Sequence, residues 1–128
     1  MLLESRPAST ALLAGNVIAY NDMRNLKRQG VFGFQNAAGN VVAYNRIVNT
    51  MTETADGGAI NFAQMANLAA PTIVYGNYVD GVTGLRRTGP GLDGRGVFGG
   101  MGIYADHSTS HVYAFDNIVR NTRYAAHY

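Results

Sequence analysis

Polar and apolar residues recur in a fixed order around an asparagine at four places along the chain. The clearest copy is NVVAYNRIVN at residues 40–49, and altered copies begin at Asn16, Thr72 and Val112. In each copy an apolar residue lies three positions before the shared asparagine and another lies two positions after it. The shared asparagines are Asn21, Asn45, Asn77 and Asn117. Units that bury little alone, but form a continuous core when stacked, are typical of solenoids.

The spacing between the copies grows along the chain while the motif itself is kept. Successive shared asparagines are 24, 32 and 40 residues apart, so extra residues are added between the copies. The last copy also fits one residue out of step, with Asp116 in the place of Asn117. A leucine-rich repeat has a period of about 20–29 residues, so the growing spacing and the scarcity of leucine in the copies disfavour that fold.

The composition of the repeated segments favours short strands over helices. Val, Ile, Tyr and Phe dominate the copies, and Gly or Asn bounds them. A second strand-like segment lies between neighbouring copies, namely GVFGF at residues 30–34, GAINF at 58–62 and GIYAD at 102–106. The sequence therefore predicts coils of at least two strands, stacked about 4.8 Å apart so that each strand pairs with its counterparts. An asparagine at one turn of every coil would form a ladder of amide hydrogen bonds.

The second set of segments also predicts an outward-facing surface. Phe34 and Asp106 each lie 11 positions before the shared asparagine that follows them, so they occupy equivalent places. The aligned inward residues are Val31, Ile60 and Ile103. Because side chains alternate along a strand, one outward row is Phe32, Asn61 and Tyr104, and the next is Phe34, Ala63 and Asp106. Aromatic rings on this face could stack on sugar rings, and the alternative is that they are single exposed aromatics of the kind common on protein surfaces.

The copies AYNRIVN and FDNIVRNT, with the segments DGGAI and GIYADHS, resemble the right-handed parallel β-helix proteins of the pectin-lyase-like superfamily. The resemblance covers about residues 16–122. It implies an all-β solenoid of about four coils with longer loops on one side. It also implies a carbohydrate-active protein with a polysaccharide or oligosaccharide partner and an extracellular or periplasmic location. The superfamily includes polysaccharide lyases, glycoside hydrolases, uronan epimerases, tailspikes and adhesins.

The length and composition set the remaining expectations about organisation. A chain of 128 residues is the length of one domain, yet about four coils are only about 15–20 Å tall. We therefore expect residues 1–15 to be an N-terminal lead-in or partial cap and residues 16–128 to be coils of a longer domain. The chain has no cysteine and no run of about 18 apolar residues, and its N-terminus lacks the pattern of a secretory signal. No membrane partner is predicted, and the oligomeric state stays open.

The basic residues are more informative than the net charge of +2, which is too small to predict a nucleic-acid partner. Three connections, near residues 25–29, 49–57 and 81–101, are expected on one side of the stack. Lys27 and Arg28 lie in the first of them, and Arg86, Arg87 and Arg95 lie in the third. There they could attract an acidic glycan, although solvated charges on glycine-rich loops are the structural alternative. The predicted substrate-binding residues are Arg86, Arg87, Tyr104, Asn61, Phe32 and Lys27.

The few carboxylates leave a short set of candidates for acid–base chemistry. Asp56 and Asp106 flank the second type of strand, and His107 follows Asp106. These three are the predicted catalytic residues, and a turn-capping role is the alternative for each aspartate. The register separates the two aspartates by about seven residues, or about 20 Å, whereas a hydrolase pair needs about 5–10 Å. Unless the loop before Gly58 folds back, Asp106 needs another partner, such as Asp93.

Two kinds of chemistry and one non-enzymatic role fit these residues. A glycosidase would use Asp106 as acid or nucleophile, whereas a lyase or epimerase would use His107, Arg86 or Arg87 as base or neutralising group beside a uronate. The resemblance adds that uronan epimerases carry an Asp-Pro-His motif, which Asp106-His107 matches without the proline. The non-enzymatic alternative is a glycan-binding or structural segment of an adhesin or tailspike. No cofactor is predicted, because the histidines lack a ligand spacing; calcium held by aspartates stays open.

Overall fold

The computed structural model describes residues 2–4, 15–34, 39–63, 70–84 and 99–127. Within these ranges the chain forms twelve β-strands and no helix, and so no helix that could cross a membrane. The strands are β1 (Leu2–Glu4), β2 (Val17–Ala19), β3 (Asp22–Arg24), β4 (Val31–Phe34), β5 (Val41–Ala43), β6 (Arg46–Thr50), β7 (Gly57–Ala63), β8 (Thr72–Tyr75), β9 (Tyr78–Val82), β10 (Gly100–Asp106), β11 (Val112–Phe115) and β12 (Ile118–Thr122).

These strands form three sheets of four strands each, and all the strand pairs are parallel. Sheet A has the order β1-β4-β7-β10, sheet B the order β2-β5-β8-β11, and sheet C the order β3-β6-β9-β12. The chain visits sheets A, B and C in turn, and we call each such round a coil. The first coil is β1 to β3 and the fourth is β10 to β12. The predicted all-β, parallel architecture is confirmed, and it is consistent with a parallel β-solenoid.

Each copy of the repeated motif is split into two strands by a corner at the shared asparagine. In the second coil β5 ends at Ala43 and β6 begins at Arg46, so Tyr44 and Asn45 form the corner. The residue before each shared asparagine has a left-handed backbone, with φ 58° at Tyr20, 53° at Tyr44, 62° at Gly76 and 53° at Asp116. Because this conformation interrupts an extended chain, it turns each coil from sheet B into sheet C. Each coil therefore has three strands rather than the minimum of two.

The shared asparagines form the predicted ladder. The Oδ1 atom of Asn77 accepts hydrogen bonds from the Nδ2 atom and the backbone N–H of Asn45, both at 3.0 Å. Asn45 accepts in the same way from Asn21, at 2.9 and 3.1 Å, and Asn117 accepts from Asn77, at 2.9 and 3.0 Å. The last copy therefore uses Asn117 rather than Asp116, and the predicted alignment of the four copies is confirmed.

The core fills the space between the three sheets and consists of inward-facing residues from successive coils. Its buried members are Ile18, Val42 and Val74 from sheet B, Ile47, Val79 and Val82 from sheet C, and Val31, Ala59, Ile60, Phe62 and Ile103 from sheet A, with Met51 in the connection after β6. Burying one such large apolar side chain contributes about 1.5–3 kcal/mol. The apolar residues three positions before and two positions after each shared asparagine pair with their equivalents in the neighbouring coils, as the strand register shows.

Strand β1 is the one described element that the sequence pattern does not predict. It pairs in parallel with β4, so Glu4 lies at the position next to Phe34. Three residues are too few to show a hydrophobic period, and β1 lies far from any asparagine copy. Residues 2–4 thus extend sheet A by one strand, whereas the predicted domain boundary after residue 15 stays a prediction.

Candidate functional site

A groove of about 390 Å³ lies on the outer face of sheet A. The described residues that line it are Gln29, Phe32, Phe34, Asp56, Asn61, Ala63, Asp106 and His107. The strand register places Asn61 between Phe32 and Tyr104, and it places Ala63 between Phe34 and Asp106. The register of both predicted outward rows is therefore confirmed, while the functional roles of their residues stay predictions.

Two aromatic rings form one wall of the groove. Phe32 and Phe34 project from the same face of β4 because they are two residues apart on a strand. Their ring centroids are 5.9 Å apart with an interplanar angle of 22°, so the rings are stacked. Both side chains are half-buried. The pair therefore presents apolar surface to the groove while packing against sheet A.

Asn61 lies in the floor of the groove, where its amide bonds to the backbone. It is 3% exposed. Its Oδ1 atom accepts from the N–H of Gly58 at 3.3 Å, and its Nδ2 atom donates to the carbonyl of Tyr104 at 3.4 Å. Glycine is favoured at the neighbouring position 57, because φ is 143° there and other residues rarely adopt this conformation. The hydrogen bond to Tyr104 joins β7 to β10 beneath the groove.

Asp106 lies at the end of the groove that Phe34 and Ala63 also line, and it is oriented by Tyr104. The hydroxyl of Tyr104 donates to Oδ1 of Asp106 at 2.7 Å. Tyr104 is only 4% exposed, so its ring is buried and does not offer the open sugar-stacking surface expected from the sequence. His107 has φ 32° and Ser108 has φ 58°, so the chain leaves β10 by a sharp left-handed turn. That turn places His107 in the groove lining.

The two candidate aspartates line the same groove but lie far apart in the strand register. Asp56 directly precedes Gly57, which pairs with Gly100, whereas Asp106 pairs with Ala63. The two backbone positions are therefore separated by about seven residues, or about 20 Å along the strand direction. The carboxylates of a glycosidase pair lie about 5–10 Å apart. Asp56 and Asp106 therefore line the same groove at positions that are far apart along the strands.

The predicted basic residues are not part of the described groove lining. Lys27, in the connection between β3 and β4, has its Nζ atom 3.2 Å from Oε1 of Glu53. Both side chains are largely exposed. Arg86 and Arg87, together with Asp93, lie outside the described residues. The described part of the chain thus groups Asp56, Asp106 and His107 with Phe32 and Asn61, but not with Lys27.

Gln29 and Phe34 line the groove although neither is in the predicted set of site residues. Phe34 is recognisable from the sequence, because alternation places it in the outward row beside Phe32. Gln29 lies in the connection before β4, where no alternation indicates which way a side chain points. The place of Gln29 in the groove lining is therefore known only from the tertiary structure.

The outer face of sheet C carries a network of charged, polar and aromatic side chains that bond to one another. Asp80 accepts from Nδ2 of Asn121 at 2.7 Å, from Nη2 of Arg120 at 2.9 Å and from the hydroxyl of Tyr78 at 2.9 Å. These hydrogen bonds lower the pKa of Asp80, and the bond from Asn121 has the largest effect. The guanidinium groups of Arg46 and Arg120 lie 5.7 and 5.1 Å from the centroid of the Tyr78 ring. This network links neighbouring coils.

A column of aromatic rings follows the corner between sheets B and C. Tyr20 and Tyr44 stack at 5.2 Å, Tyr44 and Tyr75 meet edge to face at 5.0 Å, and Tyr75 and Phe115 stack at 5.4 Å. The sequence contains the signal, since an aromatic residue lies one or two positions before every shared asparagine. Such ring pairs contribute about 0.5–1.5 kcal/mol each beyond the area that they bury, so the column strengthens the stacking of the coils.

Comparisons with protein-family models, with curated proteins and with solved structures found no match to this chain. Within the described ranges, no group of three or more His, Asp or Glu side chains is placed to hold a metal ion. The residues and geometry of the groove are therefore the basis for a functional proposal.

Proposed function

We propose that this chain is a right-handed parallel β-helix of the pectin-lyase-like kind and that it binds a polysaccharide along the groove of sheet A. The repeated passage through three parallel sheets and the asparagine ladder support the β-helix. The right hand is supported by a general preference, because about 98% of crossovers between parallel strands of one sheet are right-handed.

The observation that carries the binding proposal is a stacked aromatic pair in a groove that has a carboxylate at each end. The C–H face of a sugar ring is apolar and packs on rings such as those of Phe32 and Phe34. Sugar hydroxyls donate to carboxylates such as Asp56 and Asp106, and they can also accept from the amide of Gln29. Five of the eight described lining residues are polar or charged, and polar groups beside apolar surface fix the orientation of a ligand.

A glycan array and a matched pair of variants test the binding role. We expect the wild-type chain to bind one or more immobilised oligosaccharides, and we expect the double variant Phe32→Ala, Phe34→Ala to lose at least about ten-fold in affinity, because stacking aromatics are typical binding hot spots. The matched control is Phe115→Ala, which removes a stacked ring from the exterior of sheet B. Thermal unfolding establishes that each variant is folded. Binding to no glycan, or equal losses in both variants, would contradict the proposal.

A second candidate function is acid–base catalysis on the bound glycan by Asp106 and His107. The observation that favours it is the hydrogen bond from buried Tyr104, which fixes one carboxylate oxygen of Asp106 and leaves the other for proton transfer. Hydrolysis by an Asp56–Asp106 pair is disfavoured by their separation of about 20 Å in register. Proton abstraction or donation by Asp106, with His107 as its neighbour, is the chemistry that this end of the groove supports best.

The catalytic candidate is separated from binding alone by the variant Asp106→Asn. A general acid or base contributes about 10²–10⁴-fold to a rate, so we expect product release from a bound glycan to fall by at least about 100-fold while binding is kept. Unchanged turnover would remove Asp106 from the chemistry. If the wild-type chain binds a glycan and releases no product, the groove has the recognition role alone.

A further inference from the structure

The outer face of sheet B is the one described sheet face whose outward strand residues are all apolar or aromatic. Ile18, Val42 and Val74 point into the core, so alternation turns the residues on either side of them outward. The register of β11 with β8 extends this direction to the fourth coil. The outward residues are Val17, Ala19, Val41, Ala43, Ile73, Tyr75, Tyr113 and Phe115. Contiguous apolar surface of this kind is typical of an interaction site.

Aromatic rings make up much of the exposed surface of this face and of the corner beside it. On the face, Tyr113 is 55% and Phe115 is 48% exposed, and at the corner Tyr20 and Tyr44 are 79% and 47% exposed. Because one aromatic side chain has about 150–250 Å² of surface, these four rings leave on the order of 450 Å² open to solvent. Two such faces in contact would bury roughly 900 Å² or more, which is close to the lower size limit of a specific protein interface.

The sizes of the outward residues change between the second and the third coil. The strand register aligns them in two rows along the stack, which are Val17, Val41, Ile73, Tyr113 and Ala19, Ala43, Tyr75, Phe115. Both rows therefore have small side chains in the first two coils and larger ones in the last two. The corner positions have the opposite order, namely Tyr20, Tyr44, Gly76 and Asp116. The face is thus hollow over β2 and β5 and raised over β8 and β11.

We infer that a second copy of this chain packs on sheet B in the opposite direction along the stack, related by a two-fold axis parallel to the strands. This arrangement sets the raised half of each copy in the hollow half of the other. The partner's Phe115 then lies over Ala19, and the partner's Tyr75 lies over Ala43. Two sheets packed face to face lie about 10 Å apart with interdigitated side chains. Because the same patch is used on both copies, the contact closes as a dimer.

A two-fold axis parallel to the stack is disfavoured, because it would set equal coils opposite each other. The rings over β8 and β11 would then meet rings, while the small side chains over β2 and β5 would meet small side chains across a gap. Unfilled space between two surfaces loses dispersion contacts. The groove lies on sheet A and takes no part in this contact, so the inference does not depend on the proposed function.

Sedimentation velocity over a concentration series tests the association. We expect a reversible dimer with a dissociation constant of about 1–100 µM, because interfaces at the lower size limit are usually weak. Ala19→Phe fills the hollow that the partner's Phe115 occupies, so we expect it to weaken the dimer at least about ten-fold. The matched control is Ile118→Phe, which adds a ring at a 61% exposed position on sheet C and should leave the dissociation constant unchanged.

A size exchange distinguishes this specific contact from a general effect on folding. Phe115→Ala alone removes the ring that fills the hollow, and we expect it to weaken the dimer at least about ten-fold. The double variant Ala19→Phe, Phe115→Ala exchanges the sizes of two facing residues and should restore the dissociation constant to within about three-fold of wild type. Thermal unfolding of each variant establishes that it is folded.

The outcomes either support this contact or overturn it. Recovery of the dimer in the double variant supports the inference. A double variant that associates no more tightly than either single variant overturns it. A dimer that Ala19→Phe leaves intact uses another surface and overturns it too, as does a wild-type chain that stays monomeric up to about 1 mM. Glycan binding by the groove is measured separately and stands or falls independently of these results.

Discussion

The third and fourth coils carry the same pattern in the same strand register, but they bury it to different extents. Val74 and Val79 of the third coil are fully buried. Their register partners in the fourth coil, Ala114 and Val119, are exposed and half-buried. Likewise Asn77 is 1% exposed, whereas Asn117 is half-buried. The two coils therefore differ in their neighbours and not in their local pattern.

The difference shows that burial in this fold is a property of the stack. Within the described residues the third coil pairs with a coil on either side, whereas the fourth coil pairs with one, and its Ile103 is bridged to His127. In a solenoid each repeat is stabilised by its nearest neighbours. Equivalent substitutions in the two coils should therefore differ in cost, and the following predictions measure that difference.

The largest difference is expected for truncation of the matched valines. Val79→Ala removes two methyl groups from a fully buried position, so we expect it to lower the free energy of unfolding by about 2–3 kcal/mol. Val119→Ala, at the register partner, should cost less than about 1 kcal/mol because part of that side chain already contacts solvent. Urea unfolding of both variants measures the two costs. Equal costs would show that the fourth coil is packed as tightly as the third.

The next difference concerns the asparagine ladder. Asn45→Leu removes the acceptor used by Asn21 and the donor to the carbonyl of Ile18, in a position that is 1% exposed. A buried group left without its partner costs about 1–3 kcal/mol, which should outweigh the added apolar surface. The control, Asn21→Leu, alters an exposed ladder position in the first coil and should cost less. An Asn45→Leu protein at least as stable as wild type would refute the structural role of the ladder.

A smaller effect is expected at the left-handed corner residue. A Cβ atom at Gly76 would lie 2.6 Å from Cε1 of the Tyr44 ring, and φ is 62°. An alanine in the left-handed region costs about 1–2 kcal/mol, and the ring must also move. The matched control is Asp116→Ala in the fourth coil, because Asp116 is already a non-glycine residue at φ 53°. If Gly76→Ala melts at the wild-type temperature, the corner is more adaptable than its geometry indicates.

The smallest expected effect is the pH dependence of the contact between the third and fourth coils. Hydrogen bonds from Asn121 and Arg120 of the fourth coil, and from Tyr78, lower the pKa of Asp80 in the third coil. A carboxylate whose folded pKa is lowered stabilises the protein above its ordinary pKa of about 3.9, and this contribution is lost as the pH falls through the folded pKa. The melting temperature of wild type should therefore fall more between pH 7 and pH 3 than that of Asp80→Asn. Equal decreases would show that Asp80 does not link the two coils.

The sequence predicts much of the fold because its signals are local. Alternation identifies β4, β7 and β10. The asparagine copies identify the segments that form the strands of sheets B and C and their register, including the pairing of Ile18 with Val42. The sequence does not show that each copy is split into two strands. Tyrosine favours strands, and nothing in the sequence indicates that Tyr20 and Tyr44 have a left-handed backbone. β1 is too short to have a period.

The candidate site is predictable only in part. Alternation and register place Phe32, Asn61 and Asp106 on one face, and the structure confirms that placement. The sequence does not show that Tyr104 is buried and bonded to Asp106, or that Gln29 enters the groove. These features depend on side-chain directions and on the paths of connections, which have no periodic signature.

The sequence by itself determined the strand pattern, the asparagine ladder and the register of the outward rows, because each depends on residues two to five positions apart or on a repeated motif. The tertiary structure decided which coils are buried, that Asp56 and Asp106 line one groove, and that Lys27 pairs with Glu53 outside the described lining. Those features join residues 24 or more positions apart, and their geometry is set by how the coils stack and not by the local preferences of any one strand.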